Sequence, residues 1–280
     1  MPPDQVVVWH VTGKLWKMSL ELVATPIGDA GDLSLRAIEV LKAADVVIGE
    51  ERKEVSKLLK SLGIEGKRLE LLNEHTRDSD LGEMVELCRT SRVALVTDCG
   101  TPGFCDPGAR LVALLRAEKI QSRPVPGASS LMCLLSVSGS NMREFLFRGF
   151  LPADREERAA AFSELSREKR PVILMDTPYR LGKLMAELAE RFPNRRVLLG
   201  CDFTQATETV VEAFARELPT LIGERKAEFI LALYPGESTI PAATKSDRRE
   251  SSRDAGDTRR TPANSSRNGG GRKFTPGRRR

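Results

Sequence analysis

Residues 93–108 read VALVTDCGTPGFCDPG. The apolar run Val93, Ala94, Leu95 and Val96 breaks into a loop dense in Gly, Pro, Asp and Thr. A short apolar run bounded by such residues has the pattern of a strand buried on both faces in a parallel sheet. Gly100, Pro102 and Gly103 then hold the following turn where few side chains fit. In open α/β sheets, ligands sit outside the carboxyl ends of the strands. Asp98, Gly100, Thr101 and Pro102 are therefore expected on the floor of a cleft. An ordinary strand-to-helix turn uses the same residue types, so the loop gains meaning only from the segments around it.

Upstream, LELVATPIGDAGDLSLRAIEVLKAADVVIGEER starts at Leu20. It predicts a strand over 20–24, a loop carrying Pro26, Gly28 and Gly31, and a helix capped by Asp32 with Leu33, Ala37, Ile38 and Leu41 at helical spacing. A second strand over 45–48 ends in Glu50, Glu51, Arg52 and Lys53. This is a βαβ unit with a right-handed crossover, and its glycines do not form the GxGxxG dinucleotide pattern. A helix over 54–62, a strand over 68–72, a polar loop over 73–80 holding His75, and a helix over 81–90 lead into the central strand. Downstream come a helix over 110–118 and a strand over 122–125. The segment PGASS, Pro126 to Ser130, then opens a helix running through 136. Small residues at a helix start leave its free N–H groups open to a ligand.

Turn-forming residues over 138–152 mark a boundary. The second half is expected to repeat the strand-and-helix logic of the first: a helix over 154–167, a strand over 171–175, the turn DTPYR over 176–180, a helix over 181–192, and strands over 196–200 and 228–233. The chain thus divides into an appendage over 1–17, with Met18 as an alternative start to Met1, an α/β domain over 18–140, a second α/β domain over 141–238, and a tail over 239–280.

Composition narrows the function. The five cysteines, Cys88, Cys99, Cys105, Cys133 and Cys201, are scattered without a CxxC pair, the usage of a reducing cytoplasm. Two histidines, His10 and His75, cannot assemble a zinc ligand set, so no metal is expected. No apolar run approaches the roughly 20 residues of a membrane span, and the first residues carry no secretory pattern. Of the net charge of +5, residues 241–280 hold 12 Lys and Arg against 4 Asp and Glu, so the preceding part is mildly acidic. That tail has almost no large apolar residue and is expected to be disordered, offering diffuse attraction to phosphates.

The ordered pieces LVATPIGDAGDLSLRAIEVLKAAD, VTDCGTPGFCDPG, VPGASS, FLFRGFLP and DTPYRL resemble the tetrapyrrole methylase superfamily over residues 20–236. Within it the chain is most similar to the 2′-O-ribose cytidine methyltransferases of small-subunit ribosomal RNA. The resemblance implies two α/β domains with S-adenosylmethionine in the cleft between them, and a cytoplasmic homodimer acting on ribosomal RNA or the small ribosomal subunit. It implies that Pro26, Gly28, Asp98, Gly100, Thr101, Pro102 and the run Pro126, Gly127, Ala128, Ser129 and Ser130 cradle the cofactor. Asp176, Thr177 and Pro178 would reach it from the second domain.

The substrate side departs from that pattern. The acidic-Asp-Thr-Arg run is here Glu50, Glu51, Arg52 and Lys53, the ESPHR motif becomes DTPYR with Tyr179 in place of His, and Arg-Glu-Leu-Thr-Lys corresponds to Cys201, Asp202, Phe203, Thr204 and Gln205. Glu50, Lys53 and Arg180 are the catalytic candidates: a ribose hydroxyl needs its proton drawn off, by a carboxylate or a desolvated lysine, and Arg180 could hold a phosphate and position the acceptor. His75 and Tyr179 are the substrate candidates. A solvated helix start for Glu50 to Lys53 and an internal ion pair for Arg180 remain open. So do two other functions: methylation of a tetrapyrrole or another small molecule, and RNA binding without catalysis.

Overall fold

The computed structural model describes residues 19–105 and 107–236, and these form two five-stranded sheets. The first comprises β1 (Ser19–Val23), β2 (Val46–Gly49), β3 (Arg68–Leu71), β4 (Arg92–Leu95) and β5 (Gln121–Val125) in the order β3-β2-β4-β1-β5. Every pairing in it is parallel. The central strand β4 shows why. Successive side chains alternate between the faces of a strand, and both faces here are covered. Val93 and Leu95 join a core with α3 (Asp78–Thr90) and α4 (Gly108–Ala117), while Ala94 and Val96 join one with α1 (Leu35–Ala43) and α2 (Arg52–Ser61).

The entry to α1 differs from the sequence expectation. Asp32 lies in a 3₁₀ turn over Ala30–Asp32, whose cap is Asp29, accepting the Gly31 N–H at 2.7 Å. Ser34 caps α1 by accepting the Ala37 N–H at 3.1 Å. Leu33 separates the two in an extended conformation and is buried, so its apolar spacing reflects core packing outside the helix. The helix α3 begins at Asp78, which draws Asp78 and Asp80 of the expected loop into its first turn, where carboxylates favour the helix dipole.

The second sheet does not repeat the first. It contains β6 (Leu146–Gly149), β7 (Val172–Asp176), β8 (Arg196–Cys201), β9 (Thr209–Phe214) and β10 (Phe229–Leu233) in the order β6-β7-β10-β8-β9. Only β6 and β7 pair in parallel; β10 is antiparallel to both β7 and β8, and β8 is antiparallel to β9. The edge strand β9 and the short helix α8 (Leu218–Ile222) were not expected. One face of this sheet is packed by α6 (Arg155–Arg167) and α7 (Leu181–Arg191). Its other face receives α5 (Ser130–Val137): Leu134 packs with Ile173, Leu198, Ile230 and Ala232. The helix that begins at the end of β5 therefore covers the second sheet. The expected appendage over 1–17, both candidate start residues and the tail over 239–280 lie outside the described residues.

Candidate active site

Strands β4, β1 and β5 are adjacent, so the loops at their carboxyl ends emerge side by side. Backbone hydrogen bonds stitch them together. The Thr25 N–H donates to the Gly100 carbonyl at 2.8 Å, the Gly100 N–H returns to the Thr25 carbonyl at 3.2 Å, and the Ala24 N–H donates to the Val125 carbonyl at 3.2 Å. The buried Thr25 hydroxyl donates to the Thr97 carbonyl at 3.1 Å, and the Thr101 hydroxyl reaches the Ala128 carbonyl at 3.4 Å. Glycine is needed twice over. Gly100 stands at φ +81°, in the left-handed region. A Cβ on Gly28 would lie 2.5 Å from the Phe203 carbonyl oxygen.

This floor is made of backbone and small residues. Pro26, Gly28, Thr25, Thr97 and Asp98 line a hollow of about 220 Å³ against α2. Pro102 is buried, while Pro126 and Gly127 are exposed. Ser129 occupies the position before α5 without its side chain capping the helix, so the first N–H groups of that helix have no side-chain acceptor there. From the second sheet, Asp176 is buried at the end of β7. Its Oδ1 accepts the Thr177 N–H at 2.9 Å, while its Oδ2 has no hydrogen-bond partner among the described residues. Thr177 is exposed, and Pro178 opens a 3₁₀ turn through Arg180.

On the other side of Asp98 opens a larger cleft of about 710 Å³. Its wall carries Glu50, Glu51, Asn73, Glu74, His75 and Arg110. Glu50 is oriented by the buried Thr97, whose hydroxyl donates to Glu50 Oε1 at 2.6 Å. Partial desolvation raises the Asp98 carboxyl above the ordinary aspartate range, and the Glu50 and Glu51 carboxylates add to that rise. His75 is exposed, with its Nε2 3.5 Å from a Glu74 carboxylate oxygen. Arg110 pairs with Asp78 across the start of α3.

Of the sequence candidates, Glu50, Asp98 and His75 share the larger cleft. Lys53 is exposed in the first turn of α2 and is not among the residues lining either hollow. Arg180 ion-pairs with Asp176 at 3.6 Å. Tyr179 is 80% exposed and carries the Lys226 ammonium 5.3 Å above its ring. Thr25 and Thr97, which join floor to wall, were missed. The TP and TD pairs at the ends of two strands are their only sequence signal.

A glycine-stitched floor with an acidic cleft beside it thus lies at the carboxyl edge of a parallel sheet, where α/β proteins bind their ligands. A family model for tetrapyrrole (corrin/porphyrin) methylases matches residues 19–219. The chain belongs to this family of S-adenosylmethionine-dependent methyltransferases and is itself a methyltransferase. It is 37% identical over 224 residues to "Ribosomal RNA small subunit methyltransferase I" of Neisseria meningitidis serogroup B, covering 78% of this chain and 77% of that one. It is 38% identical over 215 residues to the protein of that name from Leptospira biflexa, covering 76% and 90%. Among solved structures, diphthine synthase matches with a TM-score of 0.63 at 15% identity, over 77% of this chain and 89% of that chain. Cobalt precorrin-4 methyltransferase, a cobalamin biosynthetic enzyme, matches with a TM-score of 0.58 at 16% identity, over 79% and 98%. These two likenesses concern the fold.

Proposed function

We propose that this chain transfers a methyl group from S-adenosylmethionine to the 2′-hydroxyl of a cytidine ribose in small-subunit ribosomal RNA, working without a metal ion. The observation that carries the reading is the 37% identity to a small-subunit ribosomal RNA methyltransferase across 77% of that protein. The site is compatible with the cofactor. Gly28 and Gly127 pack tightly against Phe203 and Ala24 and Gly100 takes a left-handed conformation, which fixes the loops, while the start of α5 offers uncapped N–H groups and the unpartnered Oδ2 of Asp176 can accept a hydrogen bond. Pro26, Gly28, the loop from Asp98 to Pro102 and the segment from Pro126 to Ser130 would hold it, with Asp176, Thr177 and Pro178 adding the second sheet's side.

Bound there, S-adenosylmethionine supplies an electrophilic methyl group on a sulfonium. The protein's own work is placement, exclusion of water and removal of a proton. The ribose oxygen forms the new bond to carbon as the carbon–sulfur bond breaks, and the hydroxyl proton passes to a carboxylate. Glu50 is positioned for that acceptance by Thr97, and Asp98 beside it holds a proton more readily than an ordinary aspartate. His75 and the Tyr179–Lys226 stack would contact the RNA, since exposed aromatic faces stack on unpaired bases. Cytoplasmic location and a homodimeric state belong to the same proposal.

One observation favours a second reading. The cleft wall is acidic, with Glu50, Glu51, Glu74 and Asp98 against Arg110, which repels a phosphate and suits a small acceptor that turns hydrogen-bond donors, such as pyrrole N–H groups, toward it. Purified protein incubated with methyl-labelled S-adenosylmethionine and unmodified small ribosomal subunits separates the two. Label recovered in alkali-resistant dinucleotides supports ribose methylation, because a 2′-O-methyl group blocks alkaline cleavage. RNA that stays unlabelled while a tetrapyrrole is methylated supports the second.

A further inference from the structure

The turn after β8 holds two non-glycine residues in the left-handed region: Asp202 at φ +50° and Thr204 at φ +64°. For a β-branched residue this is a true outlier, and such strain persists only where the surroundings over-determine it. Here they do. Asp202 is buried, its Oδ1 accepts the Glu228 N–H at 3.0 Å, and its Oδ2 accepts from Arg225 Nη2 at 2.7 Å and from the Thr207 hydroxyl at 3.0 Å. Arg225 Nη1 also donates to the Thr209 hydroxyl oxygen at 2.8 Å, and the Thr204 N–H is taken by Glu208 Oε2 at 2.6 Å. About nine-tenths of the Asp202 side chain and nearly three-quarters of the Arg225 side chain are withdrawn from solvent.

The strained turn is aimed at the cofactor floor. The Asp29 N–H donates to Thr204 Oγ1 at 2.9 Å, and a Cβ added to Gly28 would meet the Phe203 carbonyl oxygen at 2.5 Å and Thr204 Oγ1 at 2.6 Å. The loop after β1 therefore takes its outer contact from the second sheet, and that contact depends on a conformation threonine rarely adopts.

We propose that Thr204, held by the Asp202–Arg225 pair, is a positioning residue that fixes the loop from Pro26 to Asp29 for S-adenosylmethionine. The inference rests on the cofactor reading of that loop. Thr204 touches the Asp29 backbone and acts through it, so it is separate from the catalytic carboxylates. The turn lies where two basic positions of the resembling sequences are replaced, and the network of Asp202, Arg225 and Glu208 gives it a role independent of RNA charge.

The test compares Thr204→Val, which keeps the shape and loses the acceptor oxygen, with Thr204→Ser, which keeps the oxygen. Arg225→Met removes the clasp. In the ligand-free protein, amide exchange over residues 26–31 should quicken roughly three- to tenfold in Thr204→Val, as expected for one lost hydrogen bond, and return toward wild type in Thr204→Ser. Calorimetry should show S-adenosylmethionine binding weakened by a similar factor in Thr204→Val, with the melting temperature nearly unchanged, and weakened at least as much in Arg225→Met. A Thr204→Val protein that binds and exchanges like wild type overturns the positioning role while leaving the cofactor site standing. A wild-type protein that does not bind S-adenosylmethionine overturns the cofactor reading, and the inference with it.

Discussion

The floor and the wall of the site are built from different materials. The floor, from the loops after β1, β4 and β5, is held by main-chain hydrogen bonds and has glycine at its closest approaches. The wall of the larger cleft is built from side chains and carries several charges over an apolar base of Leu72 and Leu81, with Glu50 oriented by one threonine hydroxyl. One loop supplies both: Thr97 orients Glu50 and Asp98 lines the larger cleft, and two residues after Asp98, Gly100 locks the floor to Thr25. A floor of backbone tolerates few substitutions but can hold the same ligand in relatives with different acceptors. A wall of side chains can change acceptor without disturbing the floor. Of the departures from the resembling family, Lys53 and Tyr179 lie away from the floor, whereas the turn from Cys201 to Gln205 packs against it through Phe203 and Thr204.

The greatest loss is expected at the wall. Glu50→Gln keeps the shape and removes the proposed proton acceptor, so methyl transfer should fall about a hundredfold or more. Cofactor affinity measured by calorimetry should stay within about twofold. Equal losses in both would place Glu50 on the floor. The complementary change is Gly28→Ala. Its Cβ would sit 2.5 Å from a carbonyl oxygen, and such overpacking costs about 1–3 kcal/mol. Cofactor affinity should drop roughly tenfold or more, with transfer restored in part at saturating S-adenosylmethionine.

A smaller effect concerns the tail. Deleting residues 241–280 removes 12 Lys and Arg against 4 Asp and Glu. RNA binding followed by filter retention should weaken several-fold at low salt and little at high salt, because counterion release scales with neutralised phosphates. The methylated position should be unchanged.

The smallest effect is a control remote from floor and wall. Hydrogen bonds from Arg92 hold the Asp45 carboxyl at about 2, below its ordinary value of 3.8. A carboxyl with a lowered folded value stabilises above the ordinary value and loses that contribution as pH falls toward 2. The pair is nearly half exposed, so solvent screening reduces it to about 0.5 kcal/mol or less. In thermal melts, Asp45→Asn should be slightly less stable than wild type at pH 6 and indistinguishable at pH 2, with transfer activity unaffected.

The floor was legible in the sequence because its materials are the residues that punctuate a chain. Pro26, Gly28, Gly100 and the PGASS segment end strands by removing side chains or fixing φ, and those are local properties. The antiparallel pairings of β10 were not legible. FILAL and VILMD are apolar runs whose direction is decided by partners distant in sequence. The strand β9 alternates half-buried and exposed positions at a sheet edge, and no turn residue marks its start. Thr204 was hidden for a different reason. Threonine argues against a left-handed turn, and only the clasp of Asp202, Arg225 and Glu208 overrides that preference. The site's side-chain geometry was legible in part: Glu50, Asp98 and His75 meet in one cleft, whereas Arg180 turns to Asp176.

The acceptor is the most direct point of test. Mass spectrometry of small-subunit ribosomal RNA nucleosides from a strain lacking this chain, compared with its parent, measures it in one step. One 2′-O-methylcytidine present in the parent should be missing, and it should return with the wild-type chain but not with Glu50→Gln. An unchanged 2′-O-methylcytidine content would contradict ribose methylation by this protein.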